Sequence, residues 1–308
     1  MKVSLVVPLY NECELIDELM TRTISAMERF CHDFELIIVD DGSSDGSLEK
    51  LIAYQKASRH LKIISLSRNF GHQAAFSAGI EYARGELVAM MDGDLQDPPE
   101  LLEEMFNLLE KEKYDVVEGV RRDRKGSKIK IGLVNLFHCL FRRMTKLDNL
   151  TNAGNFCMMN RKALTALLSL NERVRYLPGL RNFIGFRKGY VKYVREDRLK
   201  GEPKMTFFKL FKLAADAVFS FSRLPIRICL VLGIVGAIVF LFAGIYALIA
   251  KIIGFAILGW SSTVLSIYFL GSIQLIFLGV VGEYVYRIYM ESQKRPLYFI
   301  KEIYETNN

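Results

Sequence analysis

The sequence has no G-x-G-x-x-G after its first apolar run and no Walker A stretch. Those absences weigh against a dinucleotide-dependent dehydrogenase and against an NTPase. Five cysteines, Cys13, Cys31, Cys139, Cys157 and Cys229, show no paired spacing. They read as reduced thiols in a cytosolic setting. The N-terminus also reads as lacking a secretory signal, since Lys2 precedes only a short apolar run that ends at Pro8 and Asn11. Negative charge is the minority, with 34 Asp and Glu against 41 Lys and Arg and a net charge of +7. The surplus favours an anionic partner: a phosphorylated ligand, an acidic lipid or a nucleic acid. Aromatic content and two long apolar runs favour lipid and argue against nucleic acid. At 308 residues the chain has room for one large domain with an appendage, or for two domains.

What is present centres on Met91-Asp92-Gly93-Asp94-Leu95-Gln96-Asp97-Pro98-Pro99-Glu100. The run before it, Leu87 to Met91, is short and apolar, the pattern of a buried strand in a parallel sheet. Ligands of open α/β sheets bind at the C-terminal ends of strands, which is where Asp92 and Asp94 fall. Asp97 is placed to cap the following helix, with Pro98 in its first turn and Glu100 at the capping-box position. Carboxylates this close repel and tend to keep a proton unless a cation lies between them. Oxygen ligands with few dedicated protein groups suit Mg²⁺ or Mn²⁺, completed by substrate phosphates and water. A bare Asp-x-Asp also describes a solvated acidic turn; the position after a buried strand favours the ligand site.

Val3 to Val7, Phe34 to Val39, Leu61 to Leu66 and Asp115 to Gly119 read as further strands. Helices alternate with them, which predicts a parallel, right-handed α/β sheet. Asp40 to Ser47 is either a helix-capping turn, with Asp45 or Ser43 as cap, or a ligand loop whose acids accept from a base or ribose hydroxyl. His72 reads as a surface or packing residue rather than a metal ligand. Arg121, Arg122 and Arg124 follow the fifth strand, either as a solvated charge run or as a bidentate clamp on a diphosphate. Amphipathic helices are expected over Lys128 to Lys146 and, beside a basic linker, over Phe207 to Phe219. Asn160 is placed to cap a helix, and Val191 to Val194 reads as an edge strand.

Ile228 to Ala250 is apolar and uncharged, bounded by Arg227 and Lys251. At ~1.5 Å per residue it spans ~35 Å, enough for a ~30 Å hydrocarbon core. Ile252 to Val281 holds a second such run, so a membrane hairpin is expected. Arg223 and Arg227 precede it and Arg287, Lys294 and Arg295 follow, against Lys251 between. The positive-inside rule puts both termini in the cytoplasm, at the inner membrane.

Four motifs together resemble the family 2 glycosyltransferases of GT-A fold: Val7-Pro8-Leu9-Tyr10-Asn11-Glu12, Val39-Asp40-Asp41-Gly42-Ser43-Ser44-Asp45, Arg68-Asn69-Phe70-Gly71 and Asp92-Gly93-Asp94-Leu95-Gln96-Asp97-Pro98-Pro99. More narrowly the chain is similar to the polyprenyl-phosphate sugar transferases, relatives of dolichyl-phosphate mannose synthase. The tail Gly282 to Tyr289 with Arg295-Pro296-Leu297-Tyr298 resembles the bacterial branch. The resemblance implies a Rossmann-like, mostly parallel α/β domain over 1–200, an interfacial amphipathic segment over 201–225, two transmembrane helices over 226–283 and a cytoplasmic tail over 284–308. It implies sugar transfer from a nucleotide diphosphate sugar, UDP favoured, to polyprenyl phosphate, and assembly as a homotetramer.

By the same resemblance Pro8, Tyr10, Glu12, Asp41, Arg68 and Asp92 line the nucleotide-sugar pocket. Asp92, Asp94 and Gln96 hold the Mg²⁺ or Mn²⁺. Asp94, Arg121 and Asn155 are the catalytic candidates, and Arg124, Arg198 and Lys204 meet the lipid phosphate. The chain departs from the family at Gly154-Asn155-Phe156, where Gly-Asp-Phe is frequent, and at Gly201-Glu202-Pro203-Lys204-Met205, where Gly-Glu-Ser-Lys-Tyr is. A processive polysaccharide synthase would need Gln-x-x-Arg-Trp, but the one tryptophan, Trp260, falls in the second apolar run. A non-catalytic scaffold of the same fold is the remaining alternative.

Overall fold

A run of buried apolar residues on both faces makes each of the first strands a central strand. β1 (Val3–Leu9), β2 (Phe34–Asp40) and β3 (Leu61–Leu66) are buried along their whole length. So is the shorter β4 (Leu87–Met90). The computed structural model describes residues 2–121, 153–170, 172–173, 175–194, 224–253 and 259–306. The amphipathic segments expected over 128–146 and 207–219 lie outside them, as do Arg122, Arg124, Arg198 and Lys204.

Helices α1 (Ile16–Glu28), α2 (Ser47–Ala57), α3 (His72–Glu81) and α4 (Leu102–Glu112) connect the strands. The remaining strands are β5 (Val116–Arg121), β6 (Ala153–Asn160), β7 (Lys188–Tyr193) and β8 (Ile300–Tyr304). All join one sheet in the order β7-β5-β6-β4-β1-β2-β3-β8. Strands β1 to β4 are mutually parallel, β6 runs antiparallel to β4 and β5, and β8 runs antiparallel to β3. The sheet is therefore mostly parallel, as the alternation of elements predicts. Short helices α5 (Arg161–Leu168) and α6 (Leu177–Phe183) follow β6. Asn160 caps α5 as expected, its side chain accepting from the Ala163 amide at 2.9 Å.

Two local expectations are corrected. Asp97 does not cap a helix: Pro98 occupies the cap position of the 3-10 turn Pro99–Leu101 without a side-chain bond. Proline has no N–H for the capping box to satisfy, and Glu100 instead pairs with Arg22 at 2.9 Å. Nor does Asp45 or Ser43 cap α2, whose cap is Gly46 in the left-handed region. Those side chains stitch two loops together. Ser43 Oγ accepts from the Asn11 amide at 3.0 Å and Asp45 Oδ2 from the Cys13 amide at 3.0 Å.

The chain divides into two units, Met1–Thr206 with Arg295–Asn308, and Phe207–Lys294. The second contains α7 (Leu224–Ile252) and α8 (Trp260–Ser292). Both are long and apolar enough to cross a membrane, with windows of mean hydropathy 2.6 and 1.5. Large apolar side chains such as Phe242 and Leu275 stand exposed along them. The final strand, β8, belongs to the first unit, a role that the sequence analysis did not assign to this segment.

Candidate active site

Parallel strands bring their C-terminal ends to one edge. Tyr10 and Glu12 follow β1, Asp41 follows β2, Arg68 follows β3, and Asp92 and Asp94 follow β4. Arg121 ends β5 at that edge too, because β5 is antiparallel to β6 and β6 to β4. The antiparallel β6 starts where its neighbours end, so Asn155 arrives there from the opposite direction. Its register pairs Met90 with Cys157. Continued two residues, that register sets Asn155 opposite Asp92, and opposite residues on one sheet face touch.

They do touch: Asn155 Nδ2 donates to Asp92 Oδ1 at 3.4 Å. His72 Nε2 lies 2.9 Å from the same oxygen, so both contacts fall on one side of the carboxylate. Gln73 Nε2 donates to Asn155 Oδ1 at 3.3 Å, while Gln73 Oε1 accepts from the Leu177 amide at 3.1 Å. The two amides are thereby oriented. Burial alone would raise the Asp92 pKa, but the His72 bond and charge, then Arg121, outweigh it and hold this carboxyl below the usual carboxylate range. Partial desolvation opposes charging of His72, and Asp92 more than compensates, so its pKa is raised.

Gly93 lets this loop sit against β1. A Cβ there would fall 2.3 Å from Leu9 Cδ2 and 2.8 Å from the Pro8 carbonyl oxygen. Asp94 Oδ1 accepts from the Gln96 amide at 3.2 Å, which closes the turn around Leu95 at φ 54°. Among the described residues no three His, Cys, Asp or Glu side chains form a metal-binding group by themselves. The donor set of Asp92, Asp94 and Gln96 is all oxygen, with an ionised Asp92, and fits a hard divalent cation whose shell is completed by phosphate and water.

Arg121 is held from behind. Its Nη2 donates to Asp97 Oδ1 at 3.3 Å and its Nε to Tyr193 Oη at 3.2 Å, and the Tyr193 hydroxyl donates to Asp97. Asp97 is fully buried. Tyr193 is pushed well above its ordinary pKa by burial and by Asp97, so it remains a donor. Arg181, also fully buried, braces the start of β6. It donates to the Gly154 carbonyl at 2.6 Å, the Asn155 carbonyl at 3.1 Å and Glu118 Oε1 at 3.2 Å. Lys188 adds a second cation on Glu118 at 3.2 Å, and burial raises the Cys157 thiol to about 11 beside them.

On the other side of the edge, both oxygens of buried Asp41 are engaged. Oδ1 accepts from the Phe70 amide at 2.7 Å and Oδ2 from the Gly71 amide at 3.0 Å. Burial raises the Asp41 pKa against those two amides. Arg68 lies exposed with its guanidinium 4.5 Å over the Phe70 ring. Pro8 is buried, Tyr10 is exposed and Glu12 half-buried. Among the described residues the sequence-derived candidates thus fall along one edge, and Asp92 and Asn155 make direct contact. His72, expected as a surface or packing residue, instead bonds Asp92, and the sequence does not single out Gln73, Tyr193 or Arg181. The hydrogen-bond partners of the His72 and Gln73 side chains lie 20 to 104 positions away, so no local spacing reveals them.

A mostly parallel sheet with acids, an amide and a guanidinium at its C-terminal edge is the ligand-binding arrangement of an open α/β fold. The sequence model of Glycosyl transferase family 2 matches residues 4–168, from β1 through α5, and the chain belongs to that family. An uncharacterized glycosyltransferase of Synechocystis is 39% identical over 305 residues, covering 98% of this chain and 96% of its own. The bactoprenol glucosyl transferase of Shigella phage SfV is 35% identical over 306 residues, covering 98% of each. The prophage bactoprenol glucosyl transferase homolog of Escherichia coli is 35% identical over 309 residues, covering 98% of this chain and 99% of its own. Among solved structures, glucosyl-3-phosphoglycerate synthase from Mycobacterium tuberculosis with UDP is 18% identical, with a TM-score of 0.49 and coverage of 71% and 78%.

Proposed function

We propose that this glycosyltransferase moves a sugar from a UDP-sugar to a polyprenyl phosphate at the cytoplasmic face of the inner membrane, with inversion. The observation that carries the reading is likeness along nearly the whole chain, both apolar helices included, to transferases named for bactoprenol. The acidic edge at Asp92 and Asp94 supplies the chemistry. The acceptor phosphate oxygen forms a bond to the anomeric carbon as the bond from that carbon to the diphosphate breaks.

Mg²⁺ or Mn²⁺, held by Asp92, Asp94 and Gln96, would offset the charge that grows on the leaving diphosphate. His72 and Asn155 both engage Asp92 Oδ1, and the Asp92 carboxylate would contribute charge to the cation's shell. Asn155 and Gln73 fix the carboxylate's orientation, and Arg121, steadied by Asp97 and Tyr193, faces the phosphates. Arg124, Arg198 and Lys204 are assigned to the lipid phosphate. Residues 226–283 serve as the membrane hairpin and 201–225 as an interfacial segment, in a homotetramer. The presence of β8 in the same sheet as β1 to β7 supports a hairpin with both flanks on one side of the membrane.

The test is a panel of radiolabelled nucleotide sugars offered with undecaprenyl phosphate and Mn²⁺ to the purified full-length protein. One labelled lipid product, formed from a UDP-sugar, is expected. No lipid product from any donor would contradict the reading and favour a scaffold.

A further inference from the structure

Beyond the second long helix the chain returns to the sheet and clasps the segment that follows β3. The Ser67 amide donates to the Phe299 carbonyl at 2.9 Å, and the Phe70 and Phe299 ring centroids lie 6.1 Å apart. The register of β3 with β8 begins directly after, at Leu66 and Ile300. One residue earlier, the Tyr298 hydroxyl donates to Glu81 at the C-terminal end of α3. The clasped segment runs from Ser67 to Glu81. It contains the two amides on Asp41, the guanidinium of Arg68, and His72 and Gln73, which orient Asp92 and Asn155.

Covering an open sheet edge would by itself explain a last strand. That role is served by the pairing of β8 with β3 and by the residues just past the strand, where Glu305 pairs with Lys62 at 2.7 Å and with Arg84 at 3.4 Å, and Gln55 donates to Thr306 at 2.9 Å. Phe299 contributes little to such a cover, because it is 55% exposed. Its contacts go to the loop over Asp41 instead. Gly42, below that loop, has no room for slack: a Cβ there would meet the Arg68 carbonyl carbon at 2.6 Å.

We propose that Phe299 and Tyr298 are positioning residues for donor binding, which set the 67–71 loop and α3 in place around the nucleotide sugar. The proposal rests on the reading that this edge takes a nucleotide sugar. A positioning residue shows in donor KM with kcat and acceptor KM preserved, a split that general destabilisation does not produce.

The experiment compares full-length parent, Phe299→Ala, Tyr298→Phe and Glu305→Gln in detergent. UDP and GDP binding with Mn²⁺ is measured first, then transfer kinetics with the donor the parent accepts. Phe299→Ala is expected to raise nucleotide Kd and donor KM by about tenfold with kcat within about twofold, and to speed amide exchange over residues 67–71. Tyr298→Phe gives a smaller rise, and Glu305→Gln leaves donor KM unchanged while lowering the melting temperature. A parent that binds while Phe299→Ala binds equally well contradicts the proposal alone. An equal rise in donor KM for Glu305→Gln also contradicts it, since edge cover would then be the cause. A parent that binds neither nucleotide contradicts the functional reading and the proposal together.

Discussion

Asn155 presents an amide to Asp92 at a position where the family often carries a carboxylate. The substitution fits this environment, because the amide nitrogen donates to Asp92 and the oxygen accepts from Gln73. A carboxylate there would face Asp92 as a like charge unless a cation intervened. A base is not needed for this nucleophile, since a phosphate monoester has its second pKa near ~6 and is largely ionised at neutral pH. Asn155→Asp is therefore expected to change the rate by no more than about tenfold, roughly 1.4 kcal/mol. Asn155→Ala should lose more, because both orienting bonds go. Initial rates of lipid-linked sugar formation at saturating donor, over about pH 6 to 8, separate the cases. An inactive parent rescued by Asn155→Asp would contradict this account.

At the scale of elements, the loops after β1, β2 and β3 support one another. Gly42 sits at φ +72° with the Arg68 and Asn69 backbone against it. Gly42→Ala forces both a strained dihedral and a backbone clash, so a loss of about 1–3 kcal/mol is expected. It would appear as a lower midpoint in chemical unfolding, together with weaker nucleotide binding. An unchanged midpoint would show that the two loops can part without penalty. The central strands were legible because each is a short apolar run bounded by polar turns, and the active edge was legible because the acids follow those runs. The last strand was not, since Ile300-Lys301-Glu302-Ile303-Tyr304 is charged, short and half-exposed. The role of Asp97 was misread for a related reason. A local capping signal pointed one way, while partners 24 and 96 positions distant, Arg121 and Tyr193, drew the side chain into the interior. Arg181 gave no sequence signal either: its partners are two backbone carbonyls, the Cys157 sulfur and a buried Glu118, which only the fold brings together.

For the whole molecule, the proposed membrane hairpin is flanked by strands of one sheet, so the proposal calls for both flanks on one membrane face, the cytoplasmic one. In a variant with its native cysteines replaced, Lys251→Cys should react with an impermeant maleimide in intact cells. Lys294→Cys should react only after permeabilisation. The reverse pattern would put the sheet on the wrong side for its donor. The central claim, that the acids after β4 support metal-assisted transfer to a lipid phosphate, is tested most directly by one assay. Transfer of radiolabelled sugar to undecaprenyl phosphate in Mn²⁺ is compared for the parent, Asp92→Asn and Asp94→Asn, with folding checked by circular dichroism. Loss of transfer in both variants with the fold retained is the predicted result; near-normal transfer in both would contradict the account.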